Sequence, residues 1–372
     1  MKAIVNIVRI LVGVLFIFSG LVKAIDPMGL SYKMQEFFDL WGMSAFNSTT
    51  LWLSVLMNAF EIIAGVALLL GWKPKLINWL LLLLIIFFTF LTGYAYISGK
   101  FKNCGCFGDC IPITTGVSFV KDIVLLVLIL FLFFNSKYIK PLFSKTFTNI
   151  LLIAAMVFTV GLQWYVLNYL PVIDCLPYKA GNNITEKMQM PANAVPDSTV
   201  INFVYKKEGK EISFTADNFP TDFNDSTYTF VKREDKIIRP GKNNVPEIKS
   251  FSFSDDAGKE VGQTILDFPT VIILFAEDMS RPVSQWQQSF DAIYQKAKNK
   301  NIPIYLITST RKITEAAIAP TPFKDIIILD GDRVAIRTAA RVNPTILLLE
   351  KGTIKGKWSF RNFGKVLKEI GN

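Results

Sequence analysis

The chain has 372 residues, 51% of them hydrophobic and 19% charged, with a net charge of +10 and no histidine. So apolar a composition excludes a disordered chain and is unlike an ordinary soluble enzyme. The missing histidine excludes Ser-His-Asp and Cys-His catalysis, His-ligated zinc or copper, and histidine haem ligation. The charge is also spread out: residues 1–170 carry +6 and residues 171–372 carry +4. No basic stripe of the kind a nucleic-acid partner needs is visible.

Five long apolar runs fill the first part of the chain, at 4–24, 51–71, 76–97, 117–134 and 147–170. Each approaches the ~20 residues that a helix needs to cross hydrocarbon. Trp52, Trp72, Trp79, Tyr94, Tyr96, Trp164, Tyr165 and Tyr169 cluster at the run ends, where amphipathic rings favour the headgroup layer. Between the first two runs, Met34, Phe37, Phe38 and Trp41 recur at helical spacing beside Lys33, Glu36 and Asp39. That pattern predicts an amphipathic helix over 28–43, lying on the interface or capping the bundle.

Lys73 and Lys75 sit in one short loop, and Lys137, Lys140 and Lys145 in another, while the alternate loops are poorer in net positive charge. The positive-inside rule then places the N-terminus in the cytoplasm and everything after Leu170 outside. The first run lacks a small-x-small cleavage site and is read as an uncleaved span. In bacterial terms this is a multi-pass inner-membrane protein with a periplasmic C-terminal region.

Glu61 lies near the middle of the second run, where an unpaired carboxylate is costly. Arg9, in the antiparallel first run, is the expected partner. The pair is either a structural ion pair, or a proton or quinone contact in the bundle. Lys121 and Asp122 read as interfacial. No transporter-type inverted repeat is visible.

The four cysteines are confined to two segments on the expected outer face: Cys104, Cys106 and Cys110 after the third run, and Cys175 after the fifth. In an oxidising compartment they read either as two structural disulfides or as a thiol–disulfide relay. A four-thiolate zinc site suits the Cys-x-Cys start poorly, so no metal is expected. Four cysteines allow three connectivities; the preferred one joins Cys104 to Cys106 and Cys110 to Cys175. A Cys-x-Cys ring is small and strained, with Gly105 supplying backbone freedom, and would be the readily exchanged bridge. All four cysteines are thus candidate redox residues.

Beyond Pro171 charges become frequent. Strands are predicted at 199–206, 210–215, 228–232 and 236–238, forming a β-rich region over 171–250. Residues 265–372 then alternate: strand 270–275, helix 283–298, strand 303–308, helix 313–318, strand 324–329, helix 332–340, strands 345–349 and 353–358, and a final helix from 361. This is an α/β sheet with helices on both faces. Asn47 and Asn183 head Asn-x-Thr/Ser patterns, which are short and often accidental.

Two resemblances rest on particular residues. The run from Arg9 to Pro27 resembles the first helix of DoxX-like membrane proteins, and Cys-Gly-Cys-Phe-Gly at 104–108 resembles their MauE-type branch, over about residues 1–135. That resemblance implies a four-helix membrane bundle, with the helix at 136–170 added to it. It also implies a role in disulfide formation in exported or envelope proteins, distantly like quinone-linked thiol oxidases, with Cys104 and Cys106 as redox residues. Cys110 and Cys175 lie outside the pattern. The second resemblance is of residues 251–372 to the thioredoxin fold, with Asn343-Pro344 at the place of its cis-proline. Where thioredoxins carry Cys-x-Pro-Cys this chain reads Ser280-Arg281-Pro282-Val283. The proline remains, both thiols are gone, and this domain exchanges no disulfides itself; nor does any histidine activate Ser280.

The expected architecture is therefore multi-domain: an α-helical membrane bundle of five transmembrane helices plus an extracytoplasmic α/β thioredoxin-like domain lacking CxxC. The expected function is support of extracytoplasmic thiol–disulfide chemistry or of the maturation of exported proteins, with a quinone as the candidate cofactor and otherwise none. The alternative is a membrane-anchored assembly or binding factor with inert disulfides.

Overall fold

The computed structural model describes all residues except 102–104, 106, 216, 225, 240, 242 and 372. Helix α1 (Lys2–Ile25) ends at Asp26, whose side chain accepts a hydrogen bond from Gly29 N and so caps α2 (Pro27–Leu40). Proline in the first turn of α2 lacks only an amide that would have had no helical partner. Helices α3 (Thr50–Leu70), α4 (Pro74–Ser98), α5 (Thr115–Phe134) and α6 (Lys145–Tyr169) follow. Among the described residues, α1, α3 with the short turn before it, α4, α5 and α6 are long and apolar enough to span a membrane. The amphipathic stretch expected over 28–43 is α2.

Helices α1 and α3 pack closely because glycines face each other. A Cβ on Gly65 would come within 2.8 Å of Gly13 O, and one on Gly20 within 3.2 Å of Asn58 O. Small residues permit this approach where hydrocarbon supplies no hydrophobic drive. Helix α6 is the most lipid-exposed span. It is tied on by Gln163, which accepts from Asn58 Nδ2 at 3.2 Å and donates to Val55 O at 3.2 Å.

Beyond the bundle comes the short helix α7 (Ile184–Lys187). Strands β1 (Ser198–Lys207), β2 (Lys210–Thr215) and β3 (Thr229–Arg239) then form an antiparallel sheet in the order β2-β1-β3. The sequence predicted two strands where β3 runs unbroken. Its Arg233-Glu234-Asp235 stretch is solvent-exposed and polar on both faces, so the apolar alternation fails while the ladder to β1 continues.

The second sheet is built from β4 (Phe253–Ser254), α8 (Gly262–Asp267), β5 (Val271–Phe275), α9 (Gln287–Asn299), β6 (Ile304–Thr308) and α10 (Arg311–Ile318). These are followed by β7 (Ile327–Gly331), α11 (Arg333–Ala339), β8 (Thr345–Glu350), β9 (Thr353–Ser359) and α12 (Phe363–Glu369). The strand order is β4-β7-β6-β5-β8-β9, with β5, β6 and β7 parallel and β8 and β9 antiparallel to their neighbours. Every residue of β5 is buried because helices cover both faces. Ile272 and Leu274 meet Phe290 of α9 and Phe363 of α12, whereas Val271, Ile273 and Phe275 share the opposite core with Ile336 of α11. The core β6-β5-β8-β9 with α9 and α12 is the arrangement of a thioredoxin-like domain, and the Asn343-Pro344 peptide is cis. The expected cis-proline position is thereby met.

Candidate functional site

The antiparallel register of α1 and α3 decides which charges meet. Ser19 donates to Glu61 Oε2 at 3.2 Å, and Lys23 closes a salt bridge on Glu61 Oε1. Lys23 and Glu61 are 3% and 1% exposed, and the ammonium also lies 4.9 Å over the Phe88 ring. Arg9, ten residues before Ser19, stands roughly 15 Å further along the bundle at 1.5 Å rise per residue. The expected Arg9–Glu61 pair is therefore not formed. Arg9 instead donates to Leu68 O at 2.8 Å, to Leu69 O, and to Lys140 O at 3.1 Å. It occupies the C-terminal end of α3, where unpaired carbonyls and the helix dipole favour a cation.

A second pair lies across the bundle. Asp122, expected at the interface, is 1% exposed; it accepts from Thr92 at 3.0 Å and pairs with Lys121. Ser19, Lys23, Glu61, Lys121 and Asp122 line one small cavity, walled by Phe16, Phe88 and Phe107. The Lys121 ammonium lies 5.3 Å over the Phe107 ring.

Phe107 belongs to the cysteine-bearing loop, which this cavity therefore anchors. Two residues earlier, Gly105 takes φ +69° and rests on Lys33 of α2: a Cβ there would lie 2.9 Å from Lys33 Cγ. A left-handed backbone against a close neighbour is a position for glycine. Cys104 and Cys106 themselves lie outside the described residues, so the expected Cys104–Cys106 bridge has no geometry to report. Further along the loop Cys110 is bonded to Cys175, with Cα atoms 4.9 Å apart.

The sequence expectation of a quinone needs a place for its ring. The charged cavity measures about 40 Å³. Benzene binds in an engineered protein cavity of roughly 150 Å³, and a water needs only ~10–15 Å³. Apolar walls and cationic donors suit a quinone chemically, while the enclosed part of the space is of the size that holds water. Arg9 does not border it.

The same loop also holds the outer domain. Asp109, next to Cys110, pairs with Nη2 of Arg341, whose Nε donates to Asp26 at 2.8 Å. Arg341 is 7% exposed. Burial opposes its charge, but Asp26 and Asp109 more than offset this and hold it above its ordinary range. Burial pushes the Asp26 carboxyl up, against the pull of Arg341. One turn away Arg337 donates to Gln35 Oε1 at 2.7 Å and lies 4.5 Å over the Tyr32 ring of α2. Asp174, next to Cys175, accepts from Lys357 at 2.9 Å.

The face that carries thiols in thioredoxins is turned towards the bundle. Arg281 donates to Asn343 O at 2.9 Å, and Asn343 donates to Asp278 O at 3.0 Å. These residues share a cleft of about 580 Å³ with Tyr32, Gln35 and Trp52. Sequence reasoning missed Lys23 as the partner of Glu61, and missed the whole seam of Asp26, Asp109, Asp174, Arg341 and Lys357. One signal was available: an aspartate immediately precedes both Cys110 and Cys175.

Residues 1–135 match the family described as methylamine utilisation protein MauE, and residues 199–240 match a domain of unknown function (DUF8463). A curated relative, Protein TlpB of Flavobacterium psychrophilum, is 29% identical over 130 residues, which is 34% of this chain. The match spans 35% of that relative's length. A solved structure of Arabidopsis thaliana ScoI with copper bound is 16% identical, covers 32% of this chain and 96% of its own, and gives a TM-score of 0.24. A likeness that slight carries no weight for this chain's chemistry.

Proposed function

We propose that this chain is a membrane protein of thiol–disulfide exchange, serving the maturation of exported or envelope proteins. The reading starts from a MauE-type N-terminal part joined to a thioredoxin-like domain. A disulfide between Cys104 and Cys106 takes two electrons from a client dithiol: the client's two sulfurs bond to each other, the Cys104–Cys106 bond breaks, and two loop thiols form. The exchange takes place on the face that carries the thioredoxin-like domain, proposed to be periplasmic. The observation that carries the reading is the seating of the cysteine loop, with Gly105 against α2 and Phe107 in the wall of a charged intramembrane cavity. Gly105 and Phe107 tie the loop to the bundle on either side of position 106, and exchange between specific partners requires such positioning. The thioredoxin-like domain contributes no thiol and acts as a docked cover. No step through a quinone is assigned.

The test is oxidation of a reduced two-cysteine peptide by the full chain in nanodiscs. Wild type oxidises a first equivalent of peptide in a fast phase, and Cys104→Ser/Cys106→Ser lacks that phase and keeps only the slower exchange at Cys110–Cys175, at unchanged thermal stability. Equal rates in the two proteins would overturn the reading. A non-enzymatic assembly factor is the second reading, favoured by the cysteine-less outer domain, and equal rates would leave it standing.

A further inference from the structure

The Cys110–Cys175 disulfide is half-buried and lines a cleft of about 870 Å³ between α2, the 109–112 loop, the 175–177 segment and α11. A thiol in solution can therefore reach it. Each of its cysteines follows an aspartate that holds a buried cation of the outer domain: Asp109 holds Arg341, and Asp174 holds Lys357. The Arg341 side chain is 6% exposed and the Lys357 side chain 4%. Cys110 belongs to the bundle's loop, and Cys175 lies on the segment of chain that leads from α6 into the outer domain. One covalent bond thus fixes both carboxylates at the seam.

We infer that Cys110–Cys175 is a dithiol-exchange site whose opening releases the thioredoxin-like domain from the membrane bundle. A thiolate of the incoming dithiol bonds to one of the two sulfurs, the Cys110–Cys175 bond breaks, and its electron pair leaves on the other. The second thiol then displaces the first cysteine, so that the dithiol ends as a disulfide and its two protons end on Cys110 and Cys175. With the bond open, the 109–112 loop and the 171–177 segment are no longer fixed to each other. Asp109 and Asp174 lose their set positions, and buried cations without fixed partners favour water. Asp26 remains near Arg341, and together with the contacts of Arg337 to Gln35 and Tyr32 is all that is left of the docking described above. Undocking uncovers the Arg281–Asn343 face that is now turned to the bundle. Neither step needs Cys104 or Cys106.

Hydrogen exchange on the full chain in nanodiscs tests this, read at α2 and α11, which face each other across the seam, and at β5 and β8 as the domain's core. Reduction by dithiothreitol should speed exchange at α2 and α11 on the order of tenfold or more, leaving β5 and β8 protected. Cys110→Ser/Cys175→Ser should show the fast pattern with or without reductant. Asp109→Asn/Asp174→Asn, which keeps the disulfide, should show it without reductant. Unchanged exchange at α2 and α11 after reduction would overturn the inference. So would loss of protection at β5 and β8, because the disulfide would then hold the domain's fold rather than its docking. Cys104→Ser/Cys106→Ser should respond to reductant as wild type does, so failure of the proposed relay leaves this result readable.

Discussion

Replacing Glu61 by glutamine removes the carboxylate that pairs with the Lys23 ammonium among the described residues, at a point in the bundle where Lys23 is 3% exposed. The Phe88 ring at 4.9 Å and the glutamine oxygen do not replace a charge. Breaking a buried pair by removing one partner costs about 3–5 kcal/mol, because the other charge stays buried and uncompensated. At ~1.4 kcal/mol per tenfold, this is roughly two to four orders of magnitude in the folded-to-unfolded ratio. Lys23→Met should cost a similar amount, since it strands the carboxylate. The double variant Lys23→Met/Glu61→Leu removes both charges and should recover most of the loss, because an apolar pair of similar volume is commonly neutral or better. Denaturant unfolding of the detergent-solubilised chain measures all four proteins, and the cycle should show a coupling of at least about 3 kcal/mol. Losses that simply add in the double variant would refute an ion pair at this position.

Arg9→Met removes the charged donor shared by the carbonyls of Leu68, Leu69 and Lys140; with hydrogen bonds to charged groups worth ~1.5–3 kcal/mol, the bundle should lose about that much in the same unfolding experiment. Arg9→Lys should recover less than half, lacking the planar fork that reaches three acceptors. Gly105→Ala puts a Cβ in the left-handed region and 2.9 Å from Lys33 Cγ, so it should cost ~1–2 kcal/mol and slow peptide oxidation by displacing the cysteine loop. Lys357 is held below its ordinary value, chiefly by burial, with Asp174 opposing. It therefore binds fewer protons folded than unfolded between that lowered value and ~10.4, and its contribution to stability rises with pH across that window. The stability difference between wild type and Lys357→Met should move in favour of wild type as pH rises towards ~10.4 in denaturation curves; the opposite slope would contradict the burial.

Much of the fold was legible because single-element signals carried it. Spans declare themselves by length and hydropathy, and α2 by the helical spacing of Met34, Phe37, Phe38 and Trp41. The buried β5 read as a short apolar run, and Asn343-Pro344 fell between a helix and a strand as the thioredoxin order requires. Pairing was not legible, because it depends on register. Arg9 and Lys23 both lie in the first span, and only the sliding of α1 against α3, fixed by Gly13, Gly20 and Gly65, selects Lys23 for Glu61. Arg341 and Asp26 are 315 residues apart. Among 40 basic residues nothing local separates Arg341 from the solvated ones. Asp122 misled in the opposite sense: its place near a span end suggested the interface, while Thr92 and Lys121 hold it inside the bundle.

The most direct measurement is the reduction potential of each cysteine pair in the full chain, by thiol trapping and peptide mapping in graded glutathione buffers. The account predicts that Cys104 and Cys106 form a disulfide with each other, and that it opens at a clearly higher potential than Cys110–Cys175. Cysteines 104 and 106 that stay reduced throughout, or a bridge that resists reduction as strongly as Cys110–Cys175, would contradict a redox role for the loop.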